Sequence, residues 1–201
     1  LRTFRTVQGT PGCRIFHALS LILLYLGVMV ASPAFLPAES DPSQGSEYDV
    51  KAVFLYNFTR YLQWPEDSNI DQFDITVLGE SPILASLEEI AGKKTVDTLP
   101  IDVHTCRNVR DIGHPRILFI SRSASRWFPD VLRETSGTDI LVVGEKEGLA
   151  KQGAAINFIL KGGHIKFEIN EDALEEAQIQ VSSQLLKLAI RVSPRHPENG
   201  S

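Results

Sequence analysis

Residues 73–92 read Phe-Asp-Ile-Thr-Val-Leu-Gly-Glu-Ser-Pro-Ile-Leu-Ala-Ser-Leu-Glu-Glu-Ile-Ala-Gly, and this stretch decides the fold class. Its first six residues form a short run rich in β-branched side chains, the pattern of a buried strand. Gly79-Glu80-Ser81-Pro82 supplies a turn, with Ser81 as a helix N-cap and Pro82 at the first helical position. Ile83, Leu84, Leu87, Ile90 and Ala91 then recur at helical spacing, and Gly92 ends the helix. A buried strand followed at once by an amphipathic helix is half of a βαβ unit, which calls for a parallel neighbour.

Working toward the C-terminus, the same alternation continues. Strands are predicted over 101–106, 116–121 and 139–143, and helices over 125–134 and near 147–151. Short apolar strands separated by helices predict a largely parallel sheet flanked by helices on both faces. The unit that follows differs in kind. Residues 155–161 and 164–169 flank Gly162-Gly163, a pair suited to a type I′ hairpin turn. That turn pairs Leu160 with Ile165, Phe158 with Phe167 and Ile156 with Ile169 on a uniformly apolar face. The other face pairs Lys161 with His164, Ile159 with Lys166, and Asn157 with Glu168. Asn170 caps a helix carrying Glu171 and Asp172 in its first turn, where carboxylates complement the helix dipole. From Ser182 a final amphipathic helix is predicted, with Leu185, Leu188, Ala189 and Val192 on one stripe and Gln184, Lys187 and Arg191 on the other. Toward the N-terminus, Val50, Val53, Phe54, Phe58 and Tyr61 predict an amphipathic helix that stops at Trp64-Pro65. The fold class is therefore α/β, with a C-terminal antiparallel hairpin and a final amphipathic helix.

The chain has 201 residues, 20 basic against 25 acidic, a net charge of −5 and 22% charged residues. This is enough chain for one domain with a substantial core, and the acidic balance disfavours a nucleic-acid binder. The charge is uneven. Arg2, Arg5 and Arg14 precede the apolar run 15–31 and the small-residue stretch Ala31-Ser32-Pro33-Ala34, the three parts of a secretory signal peptide. We therefore expect residues 1–34 to be a signal peptide cleaved after Ala34 or Ala38. Residues 35–47 then form a flexible lead-in, residues 48–192 a single domain, and residues 193–201 a disordered tail. Losing three arginines leaves 17 basic residues against 25 acidic ones, a charge of −8. Cys106 is then the lone thiol, so no internal disulfide can form.

The sequence lacks the phosphate-binding, dinucleotide-binding, nucleophile-elbow and metalloprotease motifs. His104 and Cys106 share a strand face at i, i+2 and could touch one metal ion if a third ligand came from elsewhere; no standard spacing supplies it. The expectation is no metal, no cofactor and no catalytic constellation. The loop Gly144 to Gly148 follows a strand, yet its Glu145 and Glu147 oppose phosphate, and it reads as a plain turn. Asn57 lies one turn from Phe54 and Tyr61, where a buried amide must fix a loop or contact a ligand.

Several stretches in order resemble the YfiR-like family of exported bacterial proteins. They are Tyr48-Asp49-Val50-Lys51-Ala52-Val53-Phe54-Leu55-Tyr56-Asn57-Phe58, Trp64-Pro65, Val77-Leu78-Gly79 and Ile117-Leu118-Phe119-Ile120-Ser121. Gly153-Ala154-Ala155-Ile156-Asn157-Phe158, Ile165-Lys166-Phe167-Glu168-Ile169-Asn170 and Ser182-Ser183-Gln184-Leu185-Leu186-Lys187-Leu188-Ala189 complete the set. The resemblance implies a periplasmic regulator that binds its target rather than transforming it. The target would be the periplasmic region of an inner-membrane diguanylate cyclase or a sensor kinase, with lower cyclic-di-GMP output and less biofilm as the result. It also implies an α/β fold and a homodimer, not membrane-embedded once the signal peptide is removed. Two departures stand out: the paired cysteines common in the family are missing, and a Gly-Gly is here Gly153-Ala154. Redox control through an internal disulfide does not carry over.

These readings give two sets of candidate residues. A partner or dimer surface is expected on the patterned hairpin face, at Asn157, Lys166 and Glu168 with the adjacent Asn170. Alternatively, Lys51, Asn57 and Trp64 line a pocket for a small molecule that tunes partner affinity. A hydrolase would need His104, Cys106 and a carboxylate within bonding reach.

Overall fold

A computed structural model describes residues 42–65 and 70–193, with side chains from Glu47 onward. The expected signal peptide and the tail beyond Ser193 lie outside these residues. In chain order the elements are helix α1 (Pro42–Phe58), strands β1 (Leu62–Gln63) and β2 (Phe73–Leu78), helix α2 (Ile83–Ala91), and strands β3 (Thr95–Val96), β4 (Leu99–Cys106) and β5 (Ile117–Ile120). Helix α3 (Phe128–Thr135), strand β6 (Leu141–Gly144), helix α4 (Leu149–Gln152) and strands β7 (Ile156–Lys161) and β8 (His164–Asn170) follow. Helix α5 (Glu171–Glu176), strand β9 (Gln180–Val181), helix α6 (Ser183–Leu188) and strand β10 (Ile190–Val192) complete the set, with 3-10 turns at Val109–Asp111 and Arg122–Trp127.

Eight strands form one sheet in the order β10-β8-β7-β6-β5-β2-β4-β3, while β1 and β9 pair apart from it. The five central strands, β4, β2, β5, β6 and β7, run parallel. Because β4 lies on one side of β2 and β5 on the other, the winding reverses between β2 and β5, as in a doubly wound sheet. Strands β5 and β6 are buried at every position, which is why their sequences are unbroken apolar runs. Ile75, Val77, Phe119, Leu141 and Val143 pack on one face against Leu55 and Phe58 of α1, Ile83 and Leu87 of α2, Leu174 and Leu185. Leu78, Leu118, Ile120 and Val142 pack on the other against Phe128 and Val131 of α3 and Leu149 of α4. The α/β architecture, helices on both faces and antiparallel hairpin all agree with the sequence reading.

The hairpin register is the predicted one: Ile156 opposes Ile169, Asn157 Glu168, Phe158 Phe167, Ile159 Lys166, Leu160 Ile165 and Lys161 His164. Gly162 and Gly163 have φ of 61° and 76°, the two left-handed positions a type I′ turn demands. Strand β6 pairs with β7 only at Ile156 and Asn157, and β10 with β8 only from Glu168 to Asn170. Between those limits the ribbon is two-stranded.

Four expectations need correction. Helix α1 begins at Pro42, so residues 42–47 of the expected flexible lead-in are helical. Its inward face is Lys51, Ala52, Leu55 and Phe58, whereas Val50 and Val53 are 41% and 50% exposed. Phe54, Phe58 and Tyr61 pack on the core as expected, but a lysine with a buried partner takes the place expected for Val50 and Val53. Gly92 ends α2 in a right-handed conformation, φ −67° and ψ −11°, and not as a left-handed cap. The last helix stops at Leu188, because Ile190 to Val192 join β8 as a parallel strand; Leu188 is 69% exposed and not on an inward stripe. Ile190 and Val192 are β-branched and half-buried in this ladder, which suits them better than further helix.

Candidate binding site at the carboxyl edge of the sheet

In open α/β sheets, ligands bind beyond the carboxyl ends of the strands, near the reversal of winding. Here that reversal point is packed shut. Gly79, with φ +82°, follows β2, and a Cβ on it would lie 2.5 Å from Ser121 Oγ and 2.8 Å from Ala124 Cβ. Ser121 is buried and caps the next turn, its Oγ accepting the Ala124 N–H at 3.2 Å. The open space lies farther along the same edge, beyond β6 and β7. There a cleft of about 580 Å³ is lined by Arg122, Glu145, Lys146, Glu147, Glu168 and residues 158–161.

The wall of this cleft is a buried charge network. Lys51 Nζ stands 2.6 Å from Glu145 Oε2 and 2.6 Å from Glu47 Oε1, with the Lys51 and Glu145 side chains only 2% and 1% exposed. The backbone N–H of Arg122 donates to Glu145 Oε1 at 2.9 Å, and the Tyr48 hydroxyl donates to the same oxygen at 3.4 Å. The lysine ammonium also lies 4.4 Å from the centre of the Tyr48 ring. Burial, reinforced by the Glu145 carboxylate, holds the Tyr48 hydroxyl above the ordinary phenol range. Both Glu145 oxygens are engaged, so this carboxylate is a structural strut joining α1 to the end of β6 and not a free general base.

Beside it, Asn157 is fully buried, and its Nδ2 donates to Glu168 Oε2 at 3.1 Å. Its Oδ1 has no partner among the described residues. Gly144, opposite Asn157 in the ladder, makes room for this amide: a Cβ there would lie 2.9 Å from Asn157 Oδ1 and 2.6 Å from Leu149 Cδ1. Asn170 is also buried; its Oδ1 accepts the Ala173 N–H at 3.2 Å and its Nδ2 donates to the Ala150 carbonyl at 2.9 Å. The expected N-cap is thus present, but Asn157 and Asn170 are internal and offer a partner no surface. The Asn170 amide is consumed by the junction between α4, α5 and the hairpin base, and the Asn157 amide is held within the hairpin by Glu168. Of that set, Lys166 is exposed and Glu168 half-buried at the cleft.

The second predicted set is not brought together. Lys51 lies in the network just described, and Trp64 lines a separate cavity of about 490 Å³ with Thr59, Phe73, Asp97 and Arg116. Trp64 packs edge-on against Phe73 at 5.3 Å, and its Nε1 is buried without a partner among the described residues. Asn57 is half-buried on α1 and lines neither cavity. Sequence reasoning missed Glu145, Arg122 and Tyr48. The signal available was Lys51 itself: an ammonium one helical turn from Leu55 and two from Phe58 requires a carboxylate, and Glu145 directly follows a buried strand.

The geometry defines a doubly wound α/β domain whose mixed-charge cleft is suited to binding, with the buried Glu145 carboxylate locked in an ion pair. The chain belongs to the YfiR/HmsC-like family, whose model matches residues 48–190. This is a family of regulators of diguanylate cyclases. Two solved structures are similar at low identity. An ABC domain from Streptococcus pneumonia, solved in complex with L-Trp, matches at 12% identity and a TM-score of 0.45, over 60% of this chain and 55% of that one. A conserved domain protein from Vibrio cholerae matches at 12% identity and a TM-score of 0.47, over 74% of this chain and 60% of that one. The chain therefore spans less than two thirds of either neighbour. Among the described residues, no helix is long and apolar enough to cross a membrane.

Proposed function

We propose that this chain is an exported, periplasmic regulatory protein that represses an inner-membrane diguanylate cyclase by binding the cyclase's periplasmic region, lowering cyclic-di-GMP and biofilm formation. Family membership supports the regulatory class, and one structural observation supports binding by the hairpin: Leu160 is 66% exposed at the tip of the two-stranded ribbon. Exposed Lys161 and Lys166 lie on the opposite face of the ribbon, and Glu168 leads from them into the cleft. A partner closing on the ribbon tip would meet an apolar anchor on one face and charges on the other, the two kinds of contact that protein interfaces combine. The homodimer implied by the family belongs to the same proposal, and the exposed Val50 and Val53 of α1 offer further apolar area for it. Leu160→Asp combined with Lys166→Glu is expected to abolish capture of the cyclase's periplasmic region and to raise cyclic-di-GMP in cells. Unchanged capture and unchanged repression would sink the surface assignment.

A second reading has an observation of its own. The 580 Å³ cleft, with Arg122, Lys146 and Lys161 facing Glu147 and Glu168, is large enough for a small zwitterion that would shift partner affinity. Thermal-shift screening separates the two readings, since only a ligand for the folded state raises the melting temperature.

A further inference from the structure

Away from the cleft, on strands β2 and β4, three side chains of metal-binding type converge. Asp74 of β2 stands directly opposite Asp102 of β4 in the parallel ladder, and His104 lies two residues along β4. With a two-residue period, all three point to the face that carries Leu78 and Cys106. One donor atom from each lies within 4.8 Å of the others. His104 Nε2 stands 3.4 Å from Asp102 Oδ2 and 3.8 Å from Asp74 Oδ1. Donors bound at about 2.1 Å to one tetrahedral ion stand about 3.4 Å apart, close to both spacings between His104 and the carboxylates.

The electrostatics point the same way. Carboxylates directly opposite each other on neighbouring strands repel, and a cation between them would relieve that repulsion. Among the described residues the cationic partner of both is His104, which is charged only when protonated. Gln72 places its side-chain amide 2.6 Å from Asp74 Oδ1 and 3.3 Å from Asp102 Oδ2. Both contacts are donations from Nε2, which draws the two carboxylates together; an amide also carries an oxygen acceptor, so a rotated Gln72 would supply a fourth donor. The imidazole nitrogen separates this set from an ordinary acidic surface cluster, and the ladder register fixes the strands that carry it.

We propose that Asp74, Asp102 and His104, completed by Gln72 or water, form a binding site for one divalent transition-metal ion. Two carboxylates and a neutral imidazole balance a 2+ charge, and a mixed nitrogen and oxygen set favours zinc over manganese by the usual affinity order. Three or four protein donors are too few for calcium. The side chains are 33% to 52% exposed, so the ion enters directly from solvent and its binding braces β2 against β4. Of the His104 and Cys106 pair weighed from sequence, only His104 meets candidate ligands across the ladder. Cys106 stays in the apolar core with Leu78 and Leu118.

The test is titration of the full, untagged chain, stripped with chelator, with zinc chloride, manganese chloride and calcium chloride, followed by calorimetry and melting temperature. One equivalent of zinc should bind and raise the melting temperature, with manganese weaker and calcium inactive. Replacing groups that merely support metal ligands typically costs about 10- to 100-fold in affinity, so His104→Gln and Asp102→Asn should each weaken zinc binding at least about tenfold. His114→Gln serves as the control and should leave binding intact. Zinc must also shift the imidazole nitrogen resonances of His104 in the wild-type protein, a readout independent of whether any variant folds. Zinc binding untouched by both substitutions, or no shift at His104 under zinc excess, overturns the proposal.

Discussion

Replacing Lys51 by methionine is the sharpest test of the buried network. The substitution keeps the length and apolar stem of the side chain, so it removes charge with little change in packing. Among the described residues it leaves Glu145, whose side chain is 1% exposed, with the Arg122 N–H and the Tyr48 hydroxyl as donors. Breaking a buried pair by removing one partner typically costs about 3–5 kcal/mol, because the survivor is an uncompensated charge. E145Q should cost less, about 1–3 kcal/mol, since an amide oxygen can still accept from Arg122 and Lys51 keeps Glu47 at 2.6 Å. The double variant K51M/E145Q buries no unpaired charge at this point. It should therefore be less destabilised than the two single losses added together, by about 2 kcal/mol or more. Urea unfolding followed by circular dichroism gives all three values, provided the m-values stay equal. In a domain of this size the single Lys51 change should lower the melting temperature by about 10 °C. A loss below about 1 kcal/mol for K51M, or strict additivity in the cycle, would refute the reading of Lys51 and Glu145 as a desolvated strut.

Other expectations follow from the packing. Gly79→Ala combines a left-handed φ with a Cβ 2.5 Å from Ser121 Oγ, and should cost about 2–4 kcal/mol in the same unfolding assay. Gly113→Ala, with φ +70° and open space around it, should cost only about 1 kcal/mol; equal losses would show that crowding at the sheet's reversal point is immaterial. Burial, with Asp111 nearby, pushes the Cys106 thiol above its ordinary value, so labelling by a thiol reagent near pH 8 should be slow until the protein unfolds. Tyr48 is shifted in the same direction, so the folded state holds both protons more tightly than the unfolded chain does. Their contributions are intact below the unfolded values and fade as pH rises past them, from about pH 9 upward. Tyr48→Phe should flatten that alkaline decline, and an unchanged slope would count against the shift.

The architecture was legible wherever a local rule acts alone. The strand over residues 73–78, the helix after Pro82 and the hairpin register around Gly162-Gly163 follow from propensity, capping and turn geometry, which need no distant partner. The misreadings came where a tertiary partner decides. Val50 and Val53 looked inward until Glu145, far along the chain, claimed Lys51 for the core side of α1. Residues 190–192 looked helical until the edge of β8 offered them a ladder. The site was less legible for the same reason. Asn157 and Glu168 were paired correctly, yet nothing local reveals that β6 and α4 bury the asparagine. The pairing of Asp74 with Asp102 depends on which strands become neighbours, and that is a property of the whole winding.

The stretch of hairpin beyond the sheet carries a dynamic consequence. Among the described residues no third strand flanks the ribbon from about Ile159 to Lys166, and isolated two-stranded ribbons are marginally stable in water. Its base is fastened instead by rings, with Phe58 5.9 Å from Phe158 and 5.1 Å from Phe167, and Phe54 5.6 Å from Phe167. Amide protons should therefore exchange along a gradient, rapidly near Gly162 and Gly163 and only through global unfolding at Ile156 and Ile169. The segment that presents Leu160 can change shape to suit a partner without loosening the core, and docking would be read as protection spreading outward from the aromatic base.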